Sequence, residues 1–143
     1  MRFTNAKFVD TNVLVYAYDL SEPAKREKCL RILEKCWRGE IVLAVSNQVL
    51  AELFVVLTEK VERPLSKEDA KKIIGQIIEF NGFAKLNYGC QTVKSAAELS
   101  AKYKSKFWDS IIMATMIENS ISEIYTENDK DFTIPGIRIL KLV

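Results

Sequence analysis

Histidine is missing altogether from this 143-residue chain. With it go the Ser-His-Asp and Cys-His hydrolases, the HExxH zinc helix and every ribonuclease that moves protons on imidazole. Any proton transfer or metal ligation here falls to carboxylates, Lys, Tyr, Cys or bound water. Cysteine is scarce, with only Cys29, Cys36 and Cys90, and an odd, sparse set is not a disulfide framework. Cys29 and Cys36 stand about two helical turns apart, ~10 Å, beyond disulfide reach, so the three read as reduced, mostly buried thiols of a cytoplasmic protein. Five Gly and three Pro leave no linker or low-complexity stretch. No hydrophobic run approaches the ~20 residues of a membrane span, and the first residues carry no apolar signal core.

What is present is ordinary for a globular domain: 48% hydrophobic and 28% charged residues, with a net charge of +2. The mild positive balance permits nucleic-acid binding without requiring it. Without a boundary or internal repeat, residues 1–143 are expected to form one domain.

Along the chain, short β-branched runs alternate with amphipathic stretches. Phe8-Val9 reads as a strand, and Asn12–Tyr18 as a short helix. Pro23 opens a helix to about Arg38 that Gly39 ends. Ile41–Val45 is a strand candidate, followed by an N-cap at Ser46-Asn47 and a helix over about Gln48–Val61 that ends before Pro64. Ser66 caps a helix to about Phe80. Phe83–Tyr88 alternates as a strand, helices follow over Thr92–Tyr103 and Lys106–Asn119, then a strand at Ile124-Tyr125, a polar loop over Thr126–Asp131 and a last strand over Ile137–Leu142. This order predicts an α/β fold: a three-layer α/β/α sandwich with a mostly parallel central sheet of four to five strands. In such sheets ligands gather beyond the carboxyl ends of the strands.

Most of the nineteen acids lie among polar residues on helix faces. A few do not. Asp10 directly follows Phe8-Val9; its structural reading is a helix N-cap. Glu52 is the one charge in VLAELFVVL, where the plain alternative is a solvent stripe through Gln48, Glu52 and Glu59. Asp109 is the lone acid of FWDSIIMATMI, where it would also favour the helix macrodipole. Asp129 and Asp131 lie in TENDKDF after a short strand. A parallel sheet brings these regions to one rim. Carboxylates gathered there repel one another unless a cation is present. An oxygen-rich site without His or Cys suits Mg²⁺, or Mn²⁺ in its place, rather than Zn²⁺.

FVDTNVL, the Glu52 of SNQVLAELFVVL, the FWDSIIMATMIE helix and the closing YTENDKDFTIPGIRIL together resemble the PIN-domain family, and within it the VapC-type toxins of prokaryotic toxin–antitoxin pairs. The resemblance covers essentially the whole chain. It implies a metal-dependent endoribonuclease in which Mg²⁺-activated water hydrolyses an RNA phosphodiester and leaves 5′-phosphate and 3′-hydroxyl ends. By resemblance Asp10 and Asp109 match the main metal-binding aspartates, and Glu52 matches a glutamate that holds metal directly or through water. Asn128 stands where many members carry Asp; by resemblance Asp131 is the substitute as the fourth acid, with Asp129 as the alternative. Thr126 matches a supporting hydroxyl, and Asn12 an orienting neighbour of Asp10. The resemblance also implies a homodimer and a VapB-type antitoxin seated in a groove for which Tyr16, Tyr18, Leu53, Phe54 and Leu57 are candidates, with core packing as their alternative.

An acidic pocket repels phosphate, so an RNA substrate requires a basic rim. Lys104 and Lys106, just before Asp109, are placed there. The rival readings are a catalytically weak PIN domain that binds RNA or protein, a receiver-like signalling domain and a structure-specific DNA nuclease. The receiver needs paired acids after the first strand and a phosphorylated Asp after a middle one, which this chain lacks. The DNA nucleases usually carry extra elements that this length does not accommodate.

Overall fold

A computed structural model of the protein describes residues 5–142. Its five strands are β1 (Lys7–Val9), β2 (Leu43–Ser46), β3 (Phe83–Leu86), β4 (Glu123–Tyr125) and β5 (Arg138–Leu140). They form one sheet in the order β3-β2-β1-β4-β5, every neighbouring pair parallel. Six α-helices flank it: α1 (Thr11–Tyr18), α2 (Pro23–Trp37), α3 (Asn47–Val55), α4 (Lys67–Glu79), α5 (Cys90–Tyr103) and α6 (Phe107–Glu118). The three-layer α/β/α expectation holds, and the sheet is wholly parallel.

A parallel sheet covered on both faces needs strands that are apolar throughout rather than alternating. β2 is buried at every residue, and in β3 only Lys85 reaches solvent, so the alternation expected across Phe83–Tyr88 does not describe that strand. Phe8, Leu43, Val45 and Ile124 enter one core with Leu14, Leu33 and Phe132.

Caps explain where the helices start. Asp10 accepts from the Thr11 amide at 2.8 Å, Ser46 Oγ from Val49 N at 3.3 Å and Ser66 Oγ from Asp69 N at 3.0 Å. Gly39, at φ +77°, ends α2, with its N–H on Cys36 O and that of Glu40 on Lys35 O. Cys29 and Cys36 are buried and Cys90 is exposed. Burial pushes the Cys29 thiol up to about 11, which leaves it protonated and unreactive.

Two stretches depart from the sequence reading. The helix expected over Gln48–Val61 changes form at Val56: Val56–Lys60 is a π-helical turn, closed by the Val61 N–H on Val56 O. Thr58 Oγ1 donates back to Phe54 O at 2.8 Å, a local bond that competes with regular winding. The polar loop over Thr126–Asp131 instead carries a 3₁₀ turn, Asp129–Phe132, anchored by the fully buried Phe132. No helix among the described residues is long and apolar enough to cross a membrane.

An acid-lined cleft at the carboxyl edge of the sheet

The strand order places a topological switch beside β1. The chain moves from β1 to β2 and β3 on one side, then returns to β4 on the other. Such a switch opens a crevice beyond the strand ends. Asp10 leaves β1 there and Thr126 leaves β4, and their backbones are tied by Asp10 N–H on Tyr125 O at 3.0 Å. Glu52 sits in α3, the helix that leaves β2. Asp109 lies in the first turn of α6, which precedes β4. A helix crossing back to start a parallel strand begins at the carboxyl rim, so Asp109 meets the same crevice.

Asp10, Glu52 and Asp109 line one cleft of about 720 Å³, together with Thr11, Asn12 and Asn128. Its other walls come from Gln48, Tyr16, Tyr88 and Trp108 and from aliphatic side chains including Val15, Val55 and Ile112. Asp10 is only 7% exposed, and both oxygens of its carboxylate accept hydrogen bonds. Oδ1 accepts from Thr11 N, while Oδ2 accepts from Thr126 Oγ1 at 2.8 Å and Asn12 Nδ2 at 3.3 Å. Thr126 in turn accepts from the Asn128 amide at 3.0 Å. Asn12 Oδ1 takes the Glu127 N–H at 3.4 Å. Asp10 is therefore both an N-cap and a cleft acid. Glu52 Oε1 accepts from Thr11 Oγ1 at 3.1 Å, so consecutive residues at the start of α1 hold two of the acids.

All three cleft acids have raised pKa values. Burial lifts Asp10 most; the Thr126 and Thr11 hydrogen bonds oppose it and Asp131 adds repulsion. Burial also lifts Glu52, against the Thr11 bond and with repulsion from Asp10, while Gln48 and Lys60 favour its charged form. Asp109 is pushed up to about 6 by burial, then by repulsion from Asp131, Asp10 and Glu52, with Lys106 opposing. Mutual repulsion marks a single electrostatic site.

The two fourth-acid candidates separate here. Asp131 does not line the cleft itself, yet its charge acts on both Asp10 and Asp109, and Lys106 Nζ stands 3.8 Å from its carboxylate. Asp129 faces a different hollow with Lys25, Lys28 and Glu127. Of the groove candidates, Tyr16 lines the cleft, whereas Leu53 and Leu57 are completely buried core residues; Tyr18 and Phe54 pack against that core.

Several cleft residues escape the sequence reading. Gln48 is no part of a solvent stripe: it is 5% exposed, and its Nε2 donates to Trp108 O at 3.0 Å, bridging α3 to α6. Its spacing of one turn from Glu52 was the available signal. Lys60 reaches the cleft through the π turn. Ordinary winding would carry residue 60 roughly 80° around the axis from Glu52, and the wider turn holds it back.

Among the described residues no three acids stand close enough together to enclose an ion directly. The donor set nevertheless fits a hard divalent cation. The side chains there offer carboxylate and amide oxygens with no His or thiolate, and Mg²⁺ commonly keeps several waters while touching only one or two carboxylates. Gln48 Oε1, buried without a hydrogen-bond partner, is a further oxygen able to accept from such a water.

The PIN domain family matches residues 7–135. No curated protein matches the chain. Among solved structures it is similar to Mycobacterium tuberculosis VapC20, described as a sarcin-ricin loop cleaving toxin, at 20% identity over 92% of this chain and 95% of that one, with a TM-score of 0.70. It is similar to a toxin–antitoxin complex from Klebsiella pneumoniae at 22% identity, over 92% and 95% of the two chains, with a TM-score of 0.63. DNA-bound VapBC from Salmonella typhimurium shares 23% identity over 96% and 99%, with a TM-score of 0.65. With a match that runs from β1 to beyond the 3₁₀ turn, and the four acidic regions it spans drawn to one edge of the sheet, this chain belongs to the PIN domain family.

Proposed function

We propose that the chain is a metal-dependent endoribonuclease, the toxin of a VapBC-type pair, which hydrolyses RNA phosphodiester bonds to 5′-phosphate and 3′-hydroxyl ends. The observation that carries this reading is the convergence of Asp10, Glu52 and Asp109 on one cleft, all three raised in pKa, with the charge of Asp131 acting on Asp10 and Asp109.

Mg²⁺, or Mn²⁺ in its place, would supply an activated water and neutralise the charge growing on the phosphate under attack. Asp10 and Asp109 would hold it. Glu52 would contribute directly or through water, and Asp131 would complete the acidic ring from the rim. Thr126 and Asn12 fix the Asp10 carboxylate, and Thr11 fixes Glu52, so the acids are oriented before substrate arrives. Asn128 lines the cleft as a neutral oxygen donor. Lys106, whose charge acts on Asp109 and pairs with Asp131, would meet the RNA backbone together with Lys104. Likeness to the VapBC structures supports a VapB-type antitoxin as partner; a homodimer and a cytoplasmic location belong to the same proposal. A binding-only PIN domain gains nothing from three partly buried acids held at the expense of their own ionisation.

The test is cleavage of structured and single-stranded RNA with Mg²⁺, with Mn²⁺ and with chelator, beside Asp10→Asn and Asp109→Asn. Metal-dependent cleavage lost in both variants supports the reading. Cleavage that survives chelator and both substitutions overturns it.

A further inference from the structure

Beside Asp109 two large aromatic side chains face solvent. Trp108 is 59% exposed and Phe107 37%. The other strongly exposed apolar residues among those described are aliphatic, such as Leu20, Ile78 and Ile117. An indole left outside the core forgoes more burial than any of them, since an aromatic side chain can bury 150–250 Å². Its surroundings are ordered. The two rings pack edge to face, with centroids 5.8 Å apart, and the Trp108 carbonyl is held by Gln48 from α3. Trp108 also lines the acidic cleft, where Tyr88 contributes another aromatic wall.

We propose that Trp108, buttressed by Phe107, is a stacking platform for an unpaired nucleobase of the RNA substrate next to the bond that is cut. This rests on the ribonuclease reading and names the form of RNA the site takes. The cleft acids repel phosphate wherever the cation does not offset them, and an uncharged part of the nucleotide escapes that repulsion; base stacking on an aromatic ring grips it there. The lysines on the same edge meet the flanking backbone: Lys106 directly precedes Phe107 and already pairs with Asp131. A helical RNA hides its base faces within the stack, whereas a loop or single strand can splay a base onto a side chain. Because Gln48 ties down the Trp108 backbone, little ordering is needed when the base arrives.

The experiment uses the full chain carrying Trp37→Phe, which leaves Trp108 as the sole indole. Its emission is followed with Mg²⁺ present, before turnover, against a single-stranded oligoribonucleotide, the same strand with an abasic position at the cleavage site, and a blunt duplex. Quenching is expected with the first and much less with the other two. In steady-state cleavage Trp108→Ala raises KM about fivefold or more, as loss of one stacked base predicts, while kcat changes little and Trp108→Tyr restores most of the loss. Quenching equal for all three RNAs, or a KM unmoved by Trp108→Ala while the wild type cleaves with metal, overturns the platform and leaves the nuclease standing. Quenching without any metal-dependent cleavage overturns the nuclease reading instead. Emission that shifts with protein concentration and ignores RNA shows the ring covered by a second copy and also overturns the platform.

Discussion

Thr126 Oγ1 donates to Asp10 Oδ2 at 2.8 Å across 116 positions of sequence, closing the gap between the ends of β1 and β4. The bond stabilises the charged form of a buried carboxylate. Thr126→Val removes the donor and keeps the shape, so the Asp10 pKa should rise further. The acidic limb of the pH–rate profile moves to higher pH, and folding stability above that limb falls by about 1–3 kcal/mol, the usual cost of stripping a bond from a buried charge. Thr126→Ser should recover most of both, which pH–rate curves and urea titrations of the three proteins would read.

Asp109 makes metal-free stability depend on pH in an unusual direction. Its folded pKa of about 6 lies above the ordinary aspartate value of 3.8, so between these values the native state binds the extra proton. Stability contributed by the neutral carboxyl is complete below the unfolded pKa and is lost as pH rises through the folded one. In chelator, Asp109→Asn is therefore expected to melt above the wild type near pH 7.5, with the gap closing toward pH 4. Adding Mg²⁺ should raise the wild-type melting temperature more than that of the variant. Melting curves at several pH values check both statements.

Lys104 ends α5 in the left-handed conformation, at φ 59° and ψ 27°. Glycine adopts this backbone without a Cβ penalty. Lys104→Gly should stabilise the fold by about 0.5–1 kcal/mol and, by removing a charge proposed to meet the RNA backbone, weaken RNA binding and flatten its salt dependence. Opposite signs in denaturation and in binding would identify a lysine kept for its charge; unchanged salt dependence would remove it from the RNA path.

Leu53 lies one residue beyond Glu52 and is completely buried. Leu53→Ala should cost about 2–5 kcal/mol as a core cavity, with RNA cleavage at permissive temperature retained. A normal melting temperature combined with impaired binding would instead assign Leu53 to a surface groove.

Much of this was readable from residue order. Ser46, Ser66 and Gly39 mark helix ends through bonds to their own neighbours, so local chemistry decides them. The apolar runs at Phe8, Leu43 and Ile124 announce buried parallel strands, and the lone acids Asp10, Glu52 and Asp109 stand out against them. The π turn after α3 was not readable, because its apolar spacing passes for continued α-helix until the Thr58 bond and the packing around it decide otherwise.

The chain's own sequence determined the absence of imidazole chemistry, the strand–helix alternation and the identity of the acids, since each depends on residue type and short-range spacing. Tertiary structure alone decided that β4 returns beside β1, that Asp131 rather than Asp129 joins the field of Asp10 and Asp109, and that Gln48 faces α6 while Leu53 and Leu57 fill the core. Those outcomes depend on contacts between segments far apart in the chain, where burial and charge repulsion act through space.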